Sequence, residues 1–179
     1  NWFLWGAALS DSYLRIGQTG MAFLVFKKFI NELHVSKNIA PQYKFFHSLI
    51  THDPARLGSE CEILAAVPMD QKERVEFVKC GLGVVVELLN KLKTLGVYDN
   101  SMIVISSDHG VSSESDYYGE EFEEKGLNQK ILNKASSTLL IKPYQSRGPM
   151  QRSEAPVSLI DIPKTILTAH GIETIPTQE

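Results

Sequence analysis

Helix, stop, turn and strand follow one another without interruption between Gln71 and Gly110. Gln71 to Leu95 carries Val75, Val78, Leu82, Val85, Leu89 and Leu92 at helical spacing with Lys and Glu elsewhere, the pattern of an amphipathic helix covering one sheet face. Gly96 is placed to end it, Tyr98-Asp99-Asn100 makes a tight turn, and Ser101 to Ser106 (SMIVIS) has the β-branched richness of a buried parallel strand. That order specifies an α/β chain. It also delivers Asp108-His109-Gly110 just beyond the strand's carboxyl end, where open parallel sheets bind their ligands.

The rest of the chain alternates in the same way. Met21 to Leu33 has apolar residues at helical spacing, Asn38 to Pro41 stops it, and Tyr43 to Ile50 reads as a short core strand ending at Thr51-His52-Asp53-Pro54. Ser112 to Asn133 is polar, acidic and punctuated by glycine, a long surface loop with a short helix over the strand ends. Ser137 to Ile141 is another strand and Lys142 to Ser153 a loop. Ser158 to His170 is a helix opened by Ser158 or Asp161, with Pro163 in an early turn, and ended by Gly171.

Composition removes several function classes. With 179 residues, 43% of them hydrophobic, the chain holds one domain or part of one. A net charge of -3 gives no basic footprint for nucleic acid, so none is expected as a partner. No run reaches the roughly 18 to 20 apolar residues of a spanning helix, since Lys27 and Lys28 break the best candidate. The chain opens on Asn1-Trp2-Phe3-Leu4-Trp5, with neither initiator Met nor signal-peptide layout, which leads us to expect a piece of something longer. Cys61 and Cys80 match no CxxC pattern; a disulfide in an exported protein and two ordinary thiols both remain open.

Asp108 and His109 offer one hard oxygen and one borderline nitrogen side by side on a rigid strand end, a donor set suited to zinc or manganese rather than calcium or magnesium. Gly110 would let the backbone turn sharply behind them. The competing reading makes Asp108 a turn cap and His109 a solvated loop residue. His52, at the end of its strand, is a candidate donor to an ester oxygen, whereas His47 sits inside an apolar run where a hydrogen-bonded core histidine competes. His34 and His170 are read as helix-end residues facing exposed carbonyls. Glu114 and Asp116 are weaker oxygen donors in a solvated loop, and Lys142 and Arg147 either meet an anionic substrate or lie solvated.

The string Gly96-Val97-Tyr98-Asp99-Asn100-Ser101-Met102-Ile103-Val104-Ile105-Ser106-Ser107-Asp108-His109-Gly110 resembles the hallmark of the sulfatase branch of the alkaline-phosphatase superfamily. The likeness is strongest to bacterial phosphoethanolamine and phosphoglycerol transferases, where a DNS- or DNT-type turn precedes a strand ending in SDHG or GDHG. His47-Ser48-Leu49-Ile50-Thr51-His52-Asp53-Pro54 is similar to the family's strand-end segment with two histidines. Ser137 to Pro143 and Ala155 to Leu167, with its DI-PT-like core, resemble the late strand and following helix. The matches run in family order from about Phe26 to Ile172.

The resemblance implies an alkaline-phosphatase-like, mostly parallel sheet flanked by helices, of which residues 1–179 are the C-terminal portion. It implies Asp108 and His109 as metal ligands, His52 and His47 as substrate contacts, and a divalent metal as cofactor. No Cys-x-Pro-x-Arg segment or other nucleophile region is found here, so the nucleophile is expected upstream and the fragment is expected to be inactive alone. The loop after Gly110 departs from the transferases, which often carry a further histidine there. The function expected is metal-dependent hydrolysis or transfer of a phosphate- or sulfate-ester group, on an anionic substrate that is lipid- or glycan-linked. A membrane anchor in the missing N-terminal region and a periplasmic or extracellular location follow from the resemblance alone. The alternative is a non-catalytic binding or regulatory domain on the same scaffold.

Overall fold

A computed structural model describes residues 11–35, 41–52, 57–64, 71–110 and 129–172. The chain divides into two compact units, residues 1–98 and residues 99–179. The first is built on two helices, α1 (Asp11–Glu32) and α2 (Gln71–Thr94). α1 starts well before the expected Met21, and its helical backbone is broken at Gly17, where φ is 68°. α2 agrees with the expected helix to within a residue. Gly96, at φ 69°, ends it in the left-handed conformation that a glycine adopts without Cβ strain, while Val97 N–H donates to Leu92 O at 3.1 Å.

The buried line of α2 is not the expected one. Phe77, Cys80 and Val84 are the residues turned inward, packed with Ile30, Ile50 and Leu57, whereas Val75, Val78, Leu82 and Val86 are exposed. The helix is apolar on more than one side, so periodicity alone permits either rotation. Two things select this one. Phe77 is the largest apolar side chain on the helix and gains most from burial, and a disulfide from Cys80 to Cys61 turns that face toward the turn around residues 57–63. Both cysteines are therefore paired, which decides the alternative that the sequence left open. A Lys27–Glu87 ion pair and a bond from Lys91 Nζ to Asn31 O at 3.4 Å join α1 to α2.

Residues 43–50 do not form the expected core strand. They carry no regular structure, and Tyr43, Phe45 and His47 are exposed. A β-prone sequence supplies side chains that suit a sheet, but a strand exists only where a neighbour takes its backbone hydrogen bonds, and no strand pairs with this segment among the described residues. It is held to α1 instead through Phe46, whose ring lies 4.8 Å from that of Phe29 and 6.2 Å from that of Phe26. His47 is accordingly not a core histidine.

The second unit contains β1 (Ile103–Ser106), α3 (Gln129–Ala135), β2 (Leu139–Lys142) and α4 (Asp161–Ala169). β1 and β2 pair antiparallel, with Ile103 opposite Lys142 and Ser106 opposite Leu139. The mostly parallel sheet expected from the sequence is thus not what the described residues display: one two-stranded antiparallel ladder is present, and β1 is half-buried rather than buried. Apolar runs such as IVI and LLI read the same in either direction, so they mark strands without orienting them.

Of the two expected starts, α4 takes Asp161, whose carboxylate accepts Ser158 N–H at 2.9 Å and so braces the turn that leads into the helix. Pro163 lies in the first turn, where its missing N–H loses nothing. The last turn is closed by His170, whose Nδ1 donates to Ile166 O at 2.8 Å and whose Nε2 pairs with the Tyr144 hydroxyl. His34 likewise lies 3.0 Å from Glu32 O. Both histidines sit against helix-end carbonyls, as read from the sequence.

Candidate functional site

Asp108 and His109 lie just past β1, with Ser107 between them and the strand. Asp108 Oδ1 accepts the His109 backbone N–H at 2.9 Å, a contact with the next residue rather than the cap of the following turn. It uses one carboxylate oxygen only. The other, Oδ2, lies 3.7 Å from His109 Nε2, and the two side chains are 77% and 47% exposed. His109 Nδ1 is 2.6 Å from Gly110 O. A carbonyl oxygen only accepts, so Nδ1 carries a proton, and in the neutral tautomer that this leaves Nε2 presents its lone pair beside Oδ2.

This donor set fits a divalent metal. With zinc–donor distances of about 2.0 to 2.2 Å, donors 3.7 Å apart subtend roughly 125° at a shared ion, within reach of tetrahedral or trigonal coordination by a small side-chain rotation. The Nδ1–H bond to a backbone carbonyl is the support that metal-ligating histidines ordinarily have, since it fixes both tautomer and ring orientation. Among the described residues no third His, Cys, Asp or Glu completes a metal-holding group with them. Glu114 and Asp116 lie outside the described residues, as do Asp53 and Pro54.

Gly110 serves a different purpose from the expected sharp turn. It is not among the glycines with positive φ. A Cβ built on it would stand 2.0 Å from Asn133 O and 2.6 Å from Ser136 O, so glycine is required by the close approach of the carboxyl end of α3. Gly110 N–H donates to Lys134 O at 2.8 Å in the same contact.

His52, in the first unit, is exposed, and its backbone is anchored: N–H donates to Leu49 O at 3.1 Å, and its carbonyl accepts from Thr19 Oγ1 at 3.0 Å. Thr19 is 2% exposed, so the turn bearing His52 is tied into the core of its unit. His47 and His52 belong to one compact unit, Asp108 and His109 to the other.

Lys142 and Arg147 are committed to structure. Lys142 Nζ donates to Ser101 O at 2.9 Å and to Asp99 O at 3.3 Å, and Arg147 Nη2 bonds Asp99 Oδ2 at 3.0 Å, so the first fastens the end of β2, and the second the loop after it, to the turn before β1. Lys142→Met is expected to lower stability by about 1.5 kcal/mol, because a charged donor to two carbonyls is lost. Arg147→Ala is expected to lower it by less than about 0.5 kcal/mol, its pair being largely exposed. Urea denaturation of the two variants tests that order; equal effects would contradict it.

Sequence reasoning passed over Ser107 and Thr138, which bond each other across the end of the ladder. The available signal was a hydroxyl residue immediately after the apolar strand and immediately before the Asp-His pair.

The chain is of the α/β class, with a polar Asp108-His109 turn just past the carboxyl end of β1. The family model described as Sulfatase matches residues 24–172, most of the chain, and the protein belongs to the sulfatase family. No curated protein and no solved structure gives a significant match. Membership places the chain in the alkaline-phosphatase superfamily, with its α/β fold and generally hydrolytic, sulfate-ester chemistry; family members are typically metal-dependent.

Proposed function

We propose that this chain supplies the Asp108–His109 half of a divalent-metal centre that hydrolyses or transfers a phosphate- or sulfate-ester group. The carrying observation is the pairing of Oδ2 and Nε2 at 3.7 Å with Nδ1 tied to Gly110 O. A metal held there would polarise an ester oxygen and acidify a nucleophile. Asp108 contributes the hard anionic donor and His109 the borderline neutral one, a mixture that favours zinc or manganese over calcium or magnesium. Two donors fill half of a tetrahedral shell. The remaining ligands and the nucleophile are therefore proposed to come from other residues, and the chain alone is expected to turn over ester substrates little or not at all.

Within this reading the DNS turn followed by SDHG favours the phosphoethanolamine- or phosphoglycerol-transferase type, with an anionic, lipid- or glycan-linked ester as substrate. His52 and His47 are proposed as donors to ester oxygens; exposure of both rings supports that role. The Cys61–Cys80 disulfide supports the outer face of a membrane as the site of action, because disulfides persist in oxidising compartments. No helix among the described residues is long and apolar enough to cross a membrane.

The test is metal binding by the chain, followed with Co²⁺ as a visible probe. Asp108→Ala and His109→Ala are each expected to weaken binding at least tenfold. Unchanged binding in both variants would leave the non-catalytic scaffold as the better account.

A further inference from the structure

Resting on the reading of Asp108 and His109 as metal ligands, we infer that Ser107 is a positioning residue for that pair, acting through its hydrogen bonds with Thr138. Ser107 N–H donates to Thr138 O at 3.1 Å, which carries the β1–β2 register one step beyond Ser106 and Leu139. In a continuing antiparallel ladder Thr138 N–H would return to the Ser107 carbonyl. It donates instead to Ser107 Oγ at 2.9 Å. The hydroxyl takes the place of its own residue's carbonyl as acceptor. The ladder ends there, and the peptide between Ser107 and Asp108 turns away to present the carboxylate.

The other side of the pair is fastened to the same segment. Gly110 N–H donates to Lys134 O at 2.8 Å, and the backbone there is closed by Asn133 O and Ser136 O. Asp108 and His109 are thus held between two anchors on residues 134–138, and Ser107 Oγ is the side-chain member of those anchors. Without it, Thr138 N–H turns to the Ser107 carbonyl or to water. The first choice lengthens the ladder by a residue and rotates the peptide that carries Asp108. Thr138 is exposed, so its N–H can be rehydrated and overall stability changes little.

The experiment measures Zn²⁺ affinity of the full chain by competition with a chromophoric chelator, the visible spectrum of its Co²⁺ form, and the thermal midpoint of the metal-free protein. Ser107→Ala is expected to weaken Zn²⁺ binding about tenfold and to alter the Co²⁺ bands, as loss of a group supporting metal ligands does. The metal-free midpoint is expected to stay near wild type, and Ser107→Thr, which keeps the oxygen, to restore affinity. Wild-type affinity in Ser107→Ala, with binding abolished in Asp108→Ala, would overturn the role of Ser107 and leave the metal reading standing. Wild-type affinity in Asp108→Ala would overturn both. A lowered metal-free midpoint in Ser107→Ala that Ser107→Thr does not repair would make the hydroxyl structural and overturn positioning.

Discussion

Gly110→Ala is expected to destabilise the protein by about 3 kcal/mol and to disorganise the Asp108–His109 turn with it. At an ordinary loop position the same change would raise stability by about 0.4 to 1 kcal/mol, because alanine restricts the unfolded chain. Here the new Cβ meets Asn133 O at 2.0 Å and Ser136 O at 2.6 Å. Both are backbone atoms at the carboxyl end of α3, so relief requires α3 and the turn to separate. Separation also breaks the bond from Gly110 N–H to Lys134 O. The clash therefore outweighs the entropic gain. Urea denaturation measures the loss, and amide exchange at residues 107–110 and 132–138 locates it; a neutral or stabilising result would mean that the approach of α3 to the turn is wrong.

Removing the disulfide is expected to have an effect of similar size. Cys61 and Cys80 are 19 residues apart in sequence, and closing a loop of that length stabilises a protein by about 3 kcal/mol through the entropy of the unfolded chain. Cys61 is also held at φ 60°, a left-handed conformation that a non-glycine residue leaves when it can. Its turn is braced by Gly58 N–H to Glu62 O at 3.0 Å and by the Leu57–Ile63 bridge, neither of which reaches α2. The covalent bond, together with the packing of Leu57 in the core, ties that turn to the buried face of the helix. The double variant Cys61→Ala/Cys80→Ala should lose about 3 kcal/mol and should no longer respond to reductant, whereas wild type should fall by that amount when reduced. If reductant leaves the wild-type urea midpoint unmoved, the bridge contributes nothing to stability.

Much of the local structure was legible from residue order. α2, its glycine stop, β1, β2 and the Asp161 start of α4 all appear close to where the sequence placed them, because each is announced by local chemistry: helical spacing, a left-handed glycine, a β-branched run, a carboxylate at a helix start. The Asp-His pair was legible for the same reason, being adjacent residues at a strand's polar end. The Tyr43 to Ile50 strand was not. Its apolar residues announce burial in a sheet, yet the neighbour that would make it a strand is a property of the fold. The rotation of α2 escaped likewise, since a helix apolar on several sides has no preferred inward face until Phe77 and Cys80 find partners.

Residue order by itself determined the family, the helices α2 and α4, the apolar runs that became β1 and β2, and the adjacency of a carboxylate and an imidazole, because all of these depend on neighbours close in the chain. Tertiary structure decided what that adjacency can do. Only folding brings Thr138 opposite Ser107 and the end of α3 against Gly110. Those contacts arise between residues far apart in the chain, and no local periodicity encodes them. Folding likewise joined Cys61 to Cys80, a pairing that two solitary cysteines leave undetermined until their backbones come within 5.2 Å.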